Sequence, residues 1–119
     1  MKRLATDQER RALVRAVKLR LQHDLTHAMR ESRWTPQEVF HPKKKRDRVF
    51  VAREAWDFIL ECLESEVEIE VIKLDIPKDA DGWVMKVPTS KDPRPIYIKL
   101  QLDAGGFVIG RSFHYSDPR

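Results

Sequence analysis

The sequence predicts an α+β fold, with N-terminal helices packed on one face of a small antiparallel sheet. Two observations carry this. Apolar residues recur at helical spacing through most of the first 65 positions, and strict alternation takes over after Ser65. The strands that follow are separated by short segments rich in Gly, Pro and Asp, so helices come first and a run of strands second. Such a sheet can leave its second face at least partly open.

The first element is "TDQERRALVRAVKLRLQHDLTHAMRES". Thr6 and Glu9 form a capping box at its start. Leu13, Val14, Val17, Leu21, Leu25, Ala28 and Met29 make one apolar stripe, with Arg10, Arg11, Arg15, Lys18 and Arg20 mostly off it. "WTPQEVF" reads as a short second helix, with Thr35 as cap, Pro36 in the first turn and Glu38 completing another box. "HPKKKRDR" is a loop holding four consecutive cations. "VAREAWDFILECLES" is again helical, with Trp56, Ile59, Leu60 and Leu63 on one side.

"EVEIEVIKLDI" alternates, with Val67, Ile69 and Val71 inward and Glu66, Glu68 and Glu70 outward. The phase slips at Ile72, which predicts a bulge or a strand end there. "PKDADG" is a turn, "WVMKV" a short strand and "PTSKDPRP" a loop. "IYIKLQL" and "FVIGRSF" then form a hairpin around "DAGG". With Asp103–Gly106 as the turn, Leu102 pairs with Phe107 and Tyr97 with Ser112. That register puts Ile98, Leu100, Leu102, Phe107, Ile109 and Phe113 on the core face, along with Arg111. Tyr97, Lys99, Gln101, Val108, Gly110, Ser112 and His114 share the other face. The alternative for that second face is a merely solvated sheet surface.

With 119 residues and 41% hydrophobic content, the chain fits one domain, 1–119, mainly helical over 1–65 and a sheet over 66–119. The one cysteine, Cys62, excludes an internal disulfide or a cysteine-based structural zinc site, and it suits a reducing compartment. The N-terminus carries charges where a signal peptide would be apolar, and no run is long enough to span a membrane. The expectation is a cytoplasmic protein. His23 and His27 stand at i and i+4 without an evident third ligand, so no metal and no cofactor are expected.

Charge is unevenly spread. Residues 1–48 hold fourteen Lys/Arg against six Asp/Glu, residues 49–81 three against ten, and residues 82–119 six against three. A basic surface of this kind suits an anionic partner, nucleic acid above all, although solvated helix faces also carry cations. Lys43, Lys44, Lys45, Arg46, Lys86 and Arg94 are the candidate RNA-binding residues.

"IYIKLQL…GGFVIGRSFHYSD" resembles the C-terminal strands of small bacterial toxins of the motility quorum-sensing regulator (MqsR) type, within the RelE-like mRNA interferases. The shared pattern is a "-YxK-" strand, a turn, and an apolar strand closing on "SF" plus a basic or polar residue. The resemblance covers residues 55–117 and is tight over 96–115. It implies a RelE-like fold and a metal-independent endoribonuclease that cleaves mRNA, free or on the ribosome, and is neutralised by a cognate antitoxin protein. The family's active-site tyrosine falls on Tyr97 and its C-terminal lysine on His114. Val84 takes the place of an upstream glutamine, with Lys86 two residues on.

RNA supplies its own nucleophile in the 2′-OH, so the protein needs only proton-transfer groups and cations. His114 and Tyr97 are the candidates for the first role, and Lys99, Arg111 and Lys86 for the second. The alternative is a non-catalytic RNA- or DNA-binding module that uses the basic helix and the KKKR loop.

Overall fold

A computed structural model describes residues 3–23 and 33–116. His27 and the apolar positions Leu25, Ala28 and Met29 lie outside them. The fold is α+β, as the pattern predicts. Its elements are β1 (Arg3–Leu4), α1 (Asp7–Gln22), a 3₁₀ turn (Pro36–Glu38), α2 (Ala52–Glu64), β2 (Glu70–Lys73), β3 (Asp81–Val87), β4 (Ile96–Leu102) and β5 (Val108–Tyr115). The five strands form one antiparallel sheet in sequence order.

β1 has only two residues and no periodicity to announce it. It still joins the sheet, pairing Arg3 with Val71 and Leu4 with Glu70. It leads directly into α1, whose capping box forms as expected. Thr6 Oγ1 accepts from Glu9 N at 3.1 Å, and Glu9 Oε1 accepts from Thr6 N at 3.0 Å. Leu13, Val17 and Leu21 of α1 and Trp56, Ile59 and Leu63 of α2 are buried against Val71, Met85, Ile98, Leu100 and Phe113 of the sheet. Cys62 sits in this core, and burial pushes its thiol up to about 12, which keeps it protonated and unreactive near neutral pH.

Two local expectations are corrected, and a third, left open between a bulge and a strand end, is resolved. "WTPQEVF" does not form an α-helix. Trp34 bridges Phe113 in parallel, and Thr35 gives both its N–H and its hydroxyl to the Phe113 carbonyl. The hydroxyl that would cap a helix is thus spent on β5, and only a 3₁₀ turn follows. The phase slip at Ile72 proves to be a strand end: β2 stops at Lys73 and a turn spans residues 75–79.

The hairpin register also differs. Asp103 Oδ1 accepts from the N–H groups of Gly105 and Phe107, both at 2.9 Å, which makes a five-residue connection over residues 103–107. Gly106 supplies the left-handed φ of 82° within it. Phe107 is thereby exposed, while Val108 pairs with Leu102 and enters the core. A bulge at Arg111 then slips β5 once more, so that Ser112 faces Lys99 and His114 faces Tyr97. The bulge also relieves the problem of a cation on the core side. Arg111 turns to the open face and donates to Gln101 Oε1 at 3.1 Å.

Candidate functional site

Both helices pack on one face of the sheet. Across the register, the opposite face is built from Glu70 and Ile72 of β2, Val84 and Lys86 of β3, Tyr97, Lys99 and Gln101 of β4, and Ile109, Ser112 and His114 of β5. Ile109, expected in the core, pairs with Gln101 instead because of the longer loop. Val84 is buried yet stands apart from the main core, as expected on this side. Four of the residues expected in the site therefore come together here: Tyr97, Lys99, Arg111 and His114. Lys86 joins them as the direct cross-strand neighbour of Tyr97.

At the centre, the Tyr97 and His114 rings stack 5.3 Å apart with 21° between their planes. His114 Nδ1 lies 2.7 Å from the Tyr115 carbonyl, which can only accept, so Nδ1 carries the proton. His114 Nε2 lies 3.2 Å from Arg33 Nη2, which can only donate, so Nε2 presents its lone pair. The geometry selects the neutral tautomer with Nε2 as a base. Burial pushes the Tyr97 phenol above its ordinary value, and the Glu70 charge adds to this against the opposing Arg33. Tyr97 therefore keeps its proton near neutral pH.

Lys86 and Lys99 make no side-chain hydrogen bond or ion pair among the described residues. A stacked phenol and imidazole, two unpaired ammonium groups and Arg111 thus share a sheet face that neither helix covers. The chemistry on offer is acid–base transfer beside concentrated positive charge.

The KKKR loop is placed elsewhere and is partly neutralised. His41, stacked 4.3 Å from Phe50, anchors its base, and His41 Nδ1 accepts from Lys43 N. Lys43 pairs with Glu61, and Lys44 and Arg48 with Glu54. Lys91 Nζ donates to the carbonyls of Lys44 and Arg46. Lys45 and Arg46 keep side chains without a partner among the described residues. Arg94 is bound in a fork to Asp92, with Nε–Oδ1 at 2.9 Å and Nη2–Oδ2 at 3.0 Å, and lies 4.9 Å over the Tyr115 ring. No group of three or more His, Cys, Asp or Glu able to hold a metal occurs among the described residues.

Sequence reasoning missed the segment that flanks His114. Arg33, Thr35, Glu38 and Val39 line a cleft of about 330 Å³ together with Arg94, His114 and Tyr115. Eighty-one residues separate Arg33 from His114, and the Trp34–Phe113 bridge brings them together, so no local pattern could signal the contact. Gly110 also has another role than the expected one. A Cβ there would lie 2.6 Å from the Trp34 ring, so the glycine admits Trp34 to the core rather than a ligand to the open face.

No helix among the described residues is long and apolar enough to cross a membrane. No protein-family model, curated protein or solved structure matches this chain.

Proposed function

We propose that the open sheet face is the active site of a metal-independent endoribonuclease of the mRNA interferase kind, related to the MqsR-type toxins that the C-terminal strands resemble. The observation that carries this reading is the stacked Tyr97–His114 pair, with a defined imidazole tautomer, beside Lys86 and Lys99, which have no partner among the described residues.

RNA bound across β3, β4 and β5 would place its scissile phosphate over the two rings. The phosphate draws Arg33 to itself, which uncovers His114 Nε2. That nitrogen takes the proton of the 2′-OH as the oxygen attacks phosphorus. Lys86, Lys99 and Arg111 offset the charge that develops on the phosphorane. Tyr97, still protonated, gives its proton to the departing 5′-oxygen. The bond to that oxygen breaks as the bond to the 2′-oxygen forms, leaving a 2′,3′-cyclic phosphate. A cognate antitoxin would act by covering this face.

The test is incubation of long single-stranded RNA with wild type, His114→Ala and Tyr97→Phe in EDTA, with and without ribosomes. Wild type is expected to cut, and each variant to lose about 10²-fold or more in rate while keeping its circular dichroism and unfolding midpoint. Undiminished cleavage by both variants would falsify the assignment. A wild type that binds RNA without cutting it under either condition would leave a binding module in place of the enzyme.

A further inference from the structure

The cleft beside His114 holds three features, two of which, Glu38 and Arg94, the cleavage chemistry does not use. The first is Glu38. Glu38 lines a cleft that also contains Arg33 and Arg94, and its carboxylate makes no hydrogen bond or ion pair among the described residues. The second is Arg94. Its charge is already met by the fork to Asp92, and one side of its plane lies on Tyr115, while the side chain remains 44% exposed. Held in this way, it is a flat stacking surface more than a phosphate clamp. The third is Arg33, which lines the cleft and reaches His114 Nε2 with Nη2 at 3.2 Å.

A flat cationic wall, a lone carboxylate and a second guanidinium are the parts needed for a base, its edge and its phosphate. We infer that this cleft is a nucleotide subsite that selects a base bearing an exocyclic amino group. The base lies against the Arg94 plane, its amino group donates to Glu38, and the phosphate joining it to the neighbouring nucleotide lies toward Arg33 and His114. A carboxylate accepts from the cytosine 4-amino group, whereas uracil presents a carbonyl oxygen at that position and is repelled. The volume of about 330 Å³ is at the small end of ligand pockets and suits one nucleotide.

The inference rests on reading the sheet face as an RNA site, but its test does not need cleavage. Short 2′-fluoro oligonucleotides, oligo(C) and oligo(U), cannot supply the attacking hydroxyl, and their affinities can be compared by fluorescence anisotropy. Oligo(C) is expected to bind wild type about fivefold or more tighter than oligo(U). Glu38→Gln, whose amide can donate as well as accept, should bring the ratio close to one by tightening oligo(U) and weakening oligo(C). Arg94→Ala should weaken both oligonucleotides. Equal affinities in wild type, an unchanged ratio in Glu38→Gln, or no binding of either probe would each overturn the subsite. A protein that fails to cut RNA but keeps the Glu38-dependent ratio loses the enzyme and keeps the subsite. One that cuts RNA with no such ratio keeps the enzyme and loses the subsite.

Discussion

His114 shows how little of a site a side chain owns. Its residue type permits base catalysis, but the Tyr115 carbonyl places its proton and Arg33 occupies its lone pair. Gly110 makes the same point from the other side of the sheet. Its hydrogen is the only substituent that leaves room for Trp34, which stacks on Trp56 at 5.0 Å and meets Phe113 edge-on at 5.5 Å. Gly110→Ala must push this cluster aside and is expected to cost about 1–3 kcal/mol. Urea unfolding should show a lower midpoint with an unchanged slope. A midpoint equal to wild type would mean that Trp34 does not seat over Gly110.

At the scale of elements, Glu9 joins three of them. Its carboxylate takes Arg3 Nη1 at 2.6 Å from β1, Thr6 N at 3.0 Å from its own cap, and Trp83 Nε1 at 3.2 Å from β3. The Arg3 hydrogen bond above all, then those from Thr6 and Trp83, hold the carboxyl down at about 2 against the drying effect of burial. A carboxyl depressed on folding binds fewer protons in the native state than in the unfolded one. Its stabilisation is therefore complete above the ordinary value of 4.5 and is lost as pH falls toward 2. Glu9→Gln should flatten the acid limb of the stability curve between those values, measured by denaturant titration at each pH. An acid limb identical to wild type would show that Glu9 does not carry this linkage. Thr6→Ala, which removes the side-chain acceptor for Glu9 N, should cost about 1 kcal/mol at neutral pH.

Over the whole molecule, part of the basic excess of the first 48 residues is answered within the fold, as the described residues show. Lys43, Lys44 and Arg48 are answered by Glu54 and Glu61 of α2, and Arg3 is answered by Glu9. Arg10 is turned inward to the carbonyls of Leu63, Ser65 and Val67. The acidic middle of the sequence thus offsets part of the basic start. Among the described residues, cations without a partner remain at Arg11 and Arg15 of α1, at Lys45 and Arg46 of the loop, and at Lys86 and Lys99 on the sheet face. For single-stranded RNA, removing a phosphate-contacting cation lowers the slope of log K against log salt by about 0.7. Lys86→Ala and Lys99→Ala should each do so, and Lys43→Ala should not. The reverse ranking, with Lys43 setting the slope, would move the RNA to the loop and favour the binding module.

The sequence by itself determined the order of α1, α2 and the four strands that follow them, the α1 capping box, the inward set of α2 and the polar strand carrying Tyr97 and Lys99. Each depends on the 3.6- or 2-residue period, or on groups three residues apart, so each is written locally. Only the tertiary structure decided the rest. The hairpin register turned on Asp103 drawing two N–H groups into a longer loop, and on a bulge that removed Arg111 from the core. The apolar pattern of "FVIGRSF" does not settle this, because two one-residue slips leave Phe113 facing inward either way. β1, the ion pairs of the KKKR loop and the Arg33–His114 contact all join residues far apart in the chain. Local periodicity cannot encode such pairings. They exist because burying Trp34 and the two helices on one face of the sheet brings those segments together.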